Sequence, residues 1–148
     1  LAQIWSLLAD RALRLDPCPA DLEFLVQEFI LDGVEVFAGI SRDPDHGLLI
    51  AFGFGGIAIE AVRDFSLCML PLHDGDAEAM IASTRGAALL GPMRGRPAAD
   101  ISALTACLYA LADFAVANAD CIAEIDLNPI KAHSKGYAVV DALIVTRS

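Results

Sequence analysis

Side chains from Cys121 to Asn128 alternate residue by residue, with Cys121, Ala123, Ile125 and Leu127 on one side and Ile122, Glu124, Asp126 and Asn128 on the other. Successive side chains of an extended strand point to opposite faces, so three oxygen-bearing groups share one face of this segment. Pro129 then ends the run. A four-residue loop over His133, Ser134, Lys135 and Gly136 sets Ala132 against Tyr137 and carries Asn128 opposite Asp141. Residues directly opposed across an antiparallel pair hold their Cβ atoms roughly 4.5 to 5.5 Å apart. The hairpin is therefore expected to gather Asp126, Asn128 and Asp141.

Upstream, Ile4, Leu8, Ala12 and Leu15 fall on one helical face until Asp16-Pro17-Cys18-Pro19 stops the helix. Glu23 to Ile30 reads as β-like, and Asp32-Gly33 is a two-residue hairpin signal. Val34, Val36, Ala38 and Ile40 then alternate inward, and a turn over Asp43–Gly47 leads to Leu48 through Phe54, giving a three-stranded meander. Ile57, Ile59 and Ala61 alternate again, and Phe65 to Leu70 is a short strand ended by Pro71. The acidic turn at Asp74 and Asp76 opens a helix that is expected to run to Leu90. Asp100 can cap a second helix whose stripe is Ile101, Leu104, Leu108, Leu111 and Ala115. Helices and antiparallel strands in this order spell an α+β chain, a single domain over residues 1–148 with helices packed on one antiparallel sheet.

Composition narrows the function classes. Hydrophobic residues make up 56% of the 148 residues and charged ones 20%, which excludes a disordered chain. Apolar runs are broken by glycines short of the roughly 18 residues a membrane helix needs. Twenty acidic against ten basic residues leave a net charge of −10, so a nucleic-acid backbone would meet a repelling surface. Cys18, Cys68, Cys107 and Cys121 are widely spaced with no CxxC pair, and read as buried thiols of a cytoplasmic protein. The chain starts with Leu1 inside a helical pattern and is expected to be a piece of a longer protein.

Several motifs bear on chemistry. Gly53-Phe54-Gly55-Gly56-Ile57-Ala58 matches GxGxxA, but the period-two residues after it fit a strand and not the helix whose N-terminus would hold a pyrophosphate. It is either a tight turn in the sheet or a close backbone approach to a ligand. Asp126, Asn128 and Asp141 are either a solvated sheet face or the oxygen ligands of a hard divalent cation such as magnesium. His46, His73 and His133 lie in turns, without the partners of a nucleophilic triad. Arg94 and Arg96 could clamp a phosphate or carboxylate, or pair with nearby acids.

Taken in order, Val26-Gln27-Glu28, Gly33-Val34-Glu35-Val36, Arg42-Asp43-Pro44, Phe52-Gly53-Phe54-Gly55-Gly56-Ile57, Glu60, Arg63-Asp64, Leu90-Gly91 with Arg94-Gly95, and Glu124-Ile125-Asp126-Leu127-Asn128-Pro129 resemble one family. It is the ATP-grasp domain of the NDP-forming acyl-CoA synthetases, related to the β subunit of succinyl-CoA synthetase. The resemblance implies the C-terminal lobe of an ATP-grasp fold. It further implies an acid–thiol ligase that converts carboxylate, CoA and ATP to acyl-CoA, ADP and phosphate through an acyl phosphate and a phosphohistidine.

By that resemblance Gln27, Glu28 and Ile30 lie beside adenine and Glu35 near the ribose, while Asp126, Asn128 and Asp141 hold Mg2+. The implied partners are ATP or ADP and the CoA-binding and phosphohistidine domains of a parent protein, with neither nucleic acid nor membrane involved. The family's phosphate-binding lysine and glycine loop lie upstream of this segment, so the chain alone is expected to be inactive. It is also expected to form a homodimer through exposed apolar sheet surface. The alternative is a regulatory or assembly module of the kind that accompanies protein lysine acetyltransferases.

Overall fold

The computed structural model describes residues 2–14, 24–55, 64–93 and 95–147. The apolar alternation from Val34 onward becomes β1 (Val34–Asp43), and the next becomes β2 (Gly47–Phe54). They pair antiparallel with Val36 opposite Phe54 and Ile40 opposite Ile50. Asp43 fixes the turn between them: its Oδ1 accepts the N–H groups of Asp45 and His46, each at 2.9 Å, and meets His46 Nδ1 at 2.8 Å. These bonds, the imidazole first, hold the Asp43 carboxyl below its ordinary value.

The remaining elements are α1 (Ala2–Ala12), β3 (Phe65–Met69), α2 (Asp76–Ser83), a 3-10 turn over Arg85–Leu90, α3 (Ile101–Ala117), β4 (Ile122–Ala132), β5 (Tyr137–Val139) and β6 (Ala142–Thr146). The sheet runs β3-β2-β1-β4, with β5 and β6 following one another along the far edge of β4. Val36, Ala38, Ile40, Ile50, Phe52, Ile125 and Ile130 fill its inner face, and Leu104, Leu108 and Ala115 of α3 cover them. Each large side chain so buried contributes roughly 1.5 to 3 kcal/mol. The α+β expectation of one antiparallel sheet with helices on it holds.

Several local expectations change. Residues 24–32 form no strand, and Leu25, Val26, Phe29 and Leu31 are exposed. Gly33 does adopt the left-handed φ of +113° that its turn signal suggests. No hairpin forms there because both edges of β1 are already taken, by β2 and by β4. The meander is instead β1-β2-β3.

The helix opened at Asp76 stops at Thr84, whose ψ of 145° is extended. Tertiary contacts impose the break. Asp64 accepts the N–H groups of Arg85 at 2.8 Å and Gly86 at 2.6 Å, and a Cβ on Gly86 would lie 2.5 Å from the Phe54 ring. Ile101 is exposed while the rest of its stripe is buried, and among the thiols Cys107 is buried but Cys121 is exposed. Ile122, on the polar side by parity, is buried because β4 bulges against β6 between Ile122 and Glu124. The expected strand over Ile57–Ala61 and Cys18 lie outside the described residues.

Asp100 ties α3 to the last hairpin. Its Oδ1 accepts the Ala103 N–H at 3.0 Å, its Oδ2 accepts the Gly136 N–H at 2.9 Å, and its own N–H donates to the His133 carbonyl at 2.7 Å. The Gly136 bond and then the Ala103 bond hold this carboxyl below its ordinary value. A depressed folded value means the stabilisation is present above the unfolded carboxylate value of about 3.9 and is lost as pH falls through the folded one. Asp100→Ala should lower the urea midpoint at neutral pH, and the gap to the wild type should close on acidification below pH ~4; a gap independent of pH would contradict the assignment.

Candidate functional site

The face of the sheet away from the helices is set by the residues of β1 that point outward, Glu35, Phe37, Gly39 and Ser41. On the adjoining β4, Lys131 stands opposite Glu35, Asp126 opposite Gly39, and Glu124 opposite Ser41. Lys131 Nζ donates to Glu35 Oε1 at 2.7 Å, with the lysine side chain 14% exposed and the glutamate 41%. Gly39 leaves room at the centre: a Cβ there would stand 3.1 Å from the Ile125 carbonyl and 4.0 Å from Asp126 Oδ1. Without it, a hollow of about 310 Å³ opens, lined by Phe37, Gly39, Ser41, Asp126 and Asn128 among others. Gly53 admits the Phe37 ring, which a Cβ would meet at 2.5 Å.

Between the pairs Val36–Ile130 and Ala38–Leu127, β4 carries one residue more than β1, so it bulges at Asn128-Pro129. Asn128 is exposed and Asp126 half-buried, and both line the hollow. Ala132 pairs with Tyr137 as expected, and the register continues through the bulge: the Asn128 N–H donates to the Asp141 carbonyl at 3.1 Å. Asp141 thus lies across from Asn128, but its carboxylate does not line the hollow; Oδ1 accepts the Ala142 N–H at 2.9 Å. Among the described residues no three His, Cys, Asp or Glu side chains gather as a metal cluster. The triplet is two carboxylates and an amide, a donor set of oxygens alone that fits a hard cation completed by water and phosphate.

Gln27 and Glu28 are exposed and Ile30 half-buried on the irregular segment that leads through Gly33 into β1, and none of them lines the hollow. Arg96 does not reach toward an anion; its guanidinium donates to the Leu89 carbonyl and closes its own loop, while Arg94 lies outside the described residues. His133 lines a separate cavity of about 500 Å³ with Asp32, Gly33 and Arg96. Neither Gly39 nor the partner of Lys131 is marked by a local signal in the sequence. Their strand parity was legible, but the β1–β4 partnership that gives them meaning joins segments some ninety residues apart.

Residues 2–146 match the ATP-grasp domain family. The chain belongs to it. Among curated relatives, the β subunit of ADP-forming acetate–CoA ligase II from Pyrococcus furiosus is 32% identical over 99% of this chain and 63% of its own length. ADP-forming acetate–CoA ligase I from Archaeoglobus fulgidus is 35% identical over 82% of this chain and 18% of its own. The chain therefore spans under two thirds of the curated relatives it matches.

Acetyl-coenzyme A synthetase 1 from Ca. Korarchaeum cryptofilum superposes with a TM-score of 0.77 at 43% identity, covering 82% of this chain and 54% of that one. That enzyme has been solved with coenzyme A and Mg-AMPPCP, its phosphohistidine segment pointing towards the nucleotide-binding site. ATP-grasp enzymes use ATP, and these relatives are subunits or domains of larger ligases. In this ATP-grasp chain no described helix is long and apolar enough to cross a membrane.

The Glu35–Lys131 pair is asymmetric, because the ammonium is the more deeply buried partner. Removing its acceptor strands a charge, whereas removing the lysine leaves a carboxylate that water can reach. Glu35→Leu should cost about 1 to 3 kcal/mol and Lys131→Met under about 1 kcal/mol. Urea denaturation of both variants checks the order, and equal losses would contradict it.

Proposed function

We propose that this chain is the Mg-nucleotide-binding module of an NDP-forming acyl-CoA synthetase, in which a carboxylic acid, CoA and ATP give acyl-CoA, ADP and phosphate by way of a phosphohistidine. The observation that carries this reading is the shared hollow of Asp126 and Asn128, with Asp141 in register across the hairpin, in a chain of the ATP-grasp family. The nucleotide complex of the Korarchaeum enzyme supports it.

In this reading Asp126, Asn128 and Asp141 supply oxygen ligands to magnesium. When bound, the cation neutralises phosphate charge that a surface of net charge −10 would otherwise repel. Gly39 keeps the floor of the site open. Gln27, Glu28 and Ile30 bind on the adenine side, and Glu35 accepts from a ribose hydroxyl with its second oxygen while Lys131 holds the first. The 148 residues act as one domain, cytoplasmic, beside CoA-binding and phosphohistidine domains of a parent protein, and the chain self-associates as a homodimer.

Tests belong in the parent enzyme. Asp141→Ala should lower phosphoryl transfer on the order of a hundredfold, since the cation that would stabilise the transferring group loses a carboxylate ligand. Asn128→Ala should lower it less, because the ligand lost is neutral, and His133→Ala, in another cavity, should stay near wild type. Full activity with unchanged magnesium dependence in Asp141→Ala would sink the metal assignment. The isolated chain should form no ADP with acetate, CoA and Mg-ATP; measurable turnover would refute the module reading.

A further inference from the structure

Strand β6 is an edge that lacks the usual protections. Natural edge strands carry lysine, proline or a bulge that blocks further pairing. The sequence of β6, Ala142-Leu143-Ile144-Val145-Thr146, has neither charge nor proline, and all five residues are exposed. It pairs with β4 on one side, and among the described residues no strand takes the other.

The backbone groups on that free side can be assigned. The Asp141 carbonyl and the Arg147 N–H both bond toward β4, to the Asn128 N–H at 3.1 Å and the Cys121 carbonyl at 2.8 Å. By strand alternation Leu143 and Val145 face β4 as well, leaving Ala142, Ile144 and Thr146 with their N–H and C=O groups directed outward. The Ala142 N–H agrees, since its acceptor is not β4 but the carboxylate of Asp141, at 2.9 Å.

We propose that this edge pairs with the same edge of a second copy of the chain, antiparallel about a two-fold axis at Ile144. The inference deepens the self-association reading by naming its surface. A two-fold at Ile144 sets Ile144 against Ile144 of the other copy and Ala142 against Thr146, and all of these present outward backbone groups, so each is a hydrogen-bonded pair. The intervening pairs are Leu143 against Val145 and Asp141 against Arg147.

The last pair selects the occupant. The only charges flanking β6 are an acid at its start and a base at its end, so antiparallel self-pairing matches both, whereas a parallel copy would set acid beside acid and base beside base. Arg147 is exposed and has no ion-pair partner among the described residues. Pairing would bring Oδ1 of Asp141, the oxygen that now accepts the Ala142 N–H, to Arg147 of the second copy, leave Oδ2 for the cation of the proposed site, and release the Ala142 N–H to the Thr146 carbonyl there.

Light scattering of the chain over a dilution series tests this. The expected species is a dimer. Arg147→Asp should raise its dissociation constant about tenfold, through two like-charge contacts. Adding Asp141→Arg to Arg147→Asp should restore it, because the swap re-creates both pairs. Ile144→Pro should abolish the dimer, since the proline removes an outward N–H and no ladder bond to β4, and circular dichroism should show the fold intact. Should Ile144→Pro fail to fold, the charge swap alone decides. A monomer at every concentration would overturn self-association itself. A dimer indifferent to both Arg147→Asp and Ile144→Pro would overturn the edge and leave self-association through another surface.

Discussion

Antiparallel pairing of β1 with β4 is the constraint on which the rest of the molecule rests. It brings the Val34–Asp43 segment beside the Ile122–Ala132 segment and makes both central, so that Val36, Ala38, Ile40, Ile125 and Ile130 close one apolar layer under α3. The same pairing, by the two-fold alternation of strands, compels Glu35, Gly39 and Ser41 to share the opposite face with Lys131, Asp126 and Glu124. Core and candidate site are thus two sides of one set of backbone hydrogen bonds. A register slip of one residue would exchange them.

The bulge at Asn128-Pro129 modifies that rule where chemistry needs it. One extra residue on β4 lets Ile130 return to the core while Asn128 stays on the open face beside Asp126, and the adjoining hairpin keeps its register across the irregularity, so Asp141 still meets Asn128 through the backbone. The second bulge, beyond Glu124, does the converse and recovers Ile122 for the core. Polar groups therefore collect along a short stretch of one strand without cost to the apolar layer beneath. Asp100 then locks this hairpin to α3 through hydrogen bonds at both of its carboxylate oxygens.

Around the hollow glycine matters through space, whereas Gly33 matters through its left-handed φ. At Gly39 it leaves the floor of the hollow open beside Asp126, and at Gly53 it accepts the Phe37 ring. The GxGxxA match is accordingly satisfied in part by sheet packing, with Gly53 inside β2 and the Gly55 N–H bonded to the Glu35 carbonyl at 3.0 Å.

By itself the sequence determined the elements whose signals are local: the alternations of β1, β2 and β4, the Asp43 turn, the Asp100 cap, the His133–Gly136 loop and hence the Asn128–Asp141 register. Each depends on neighbours a few residues away, and the order of its motifs already resembled an ATP-grasp domain. Tertiary structure decided what depends on competition for space and partners. The described part of the Glu23–Ile30 segment had strand composition but found no free edge, since β2 and β4 occupied both sides of β1. The helix after Asp76 broke at Thr84 because Asp64 and Phe54, distant in the chain, claimed the next two residues. Lys131 acquired a role only when β1 came alongside, because an ion pair between segments so far apart has no signature in either one.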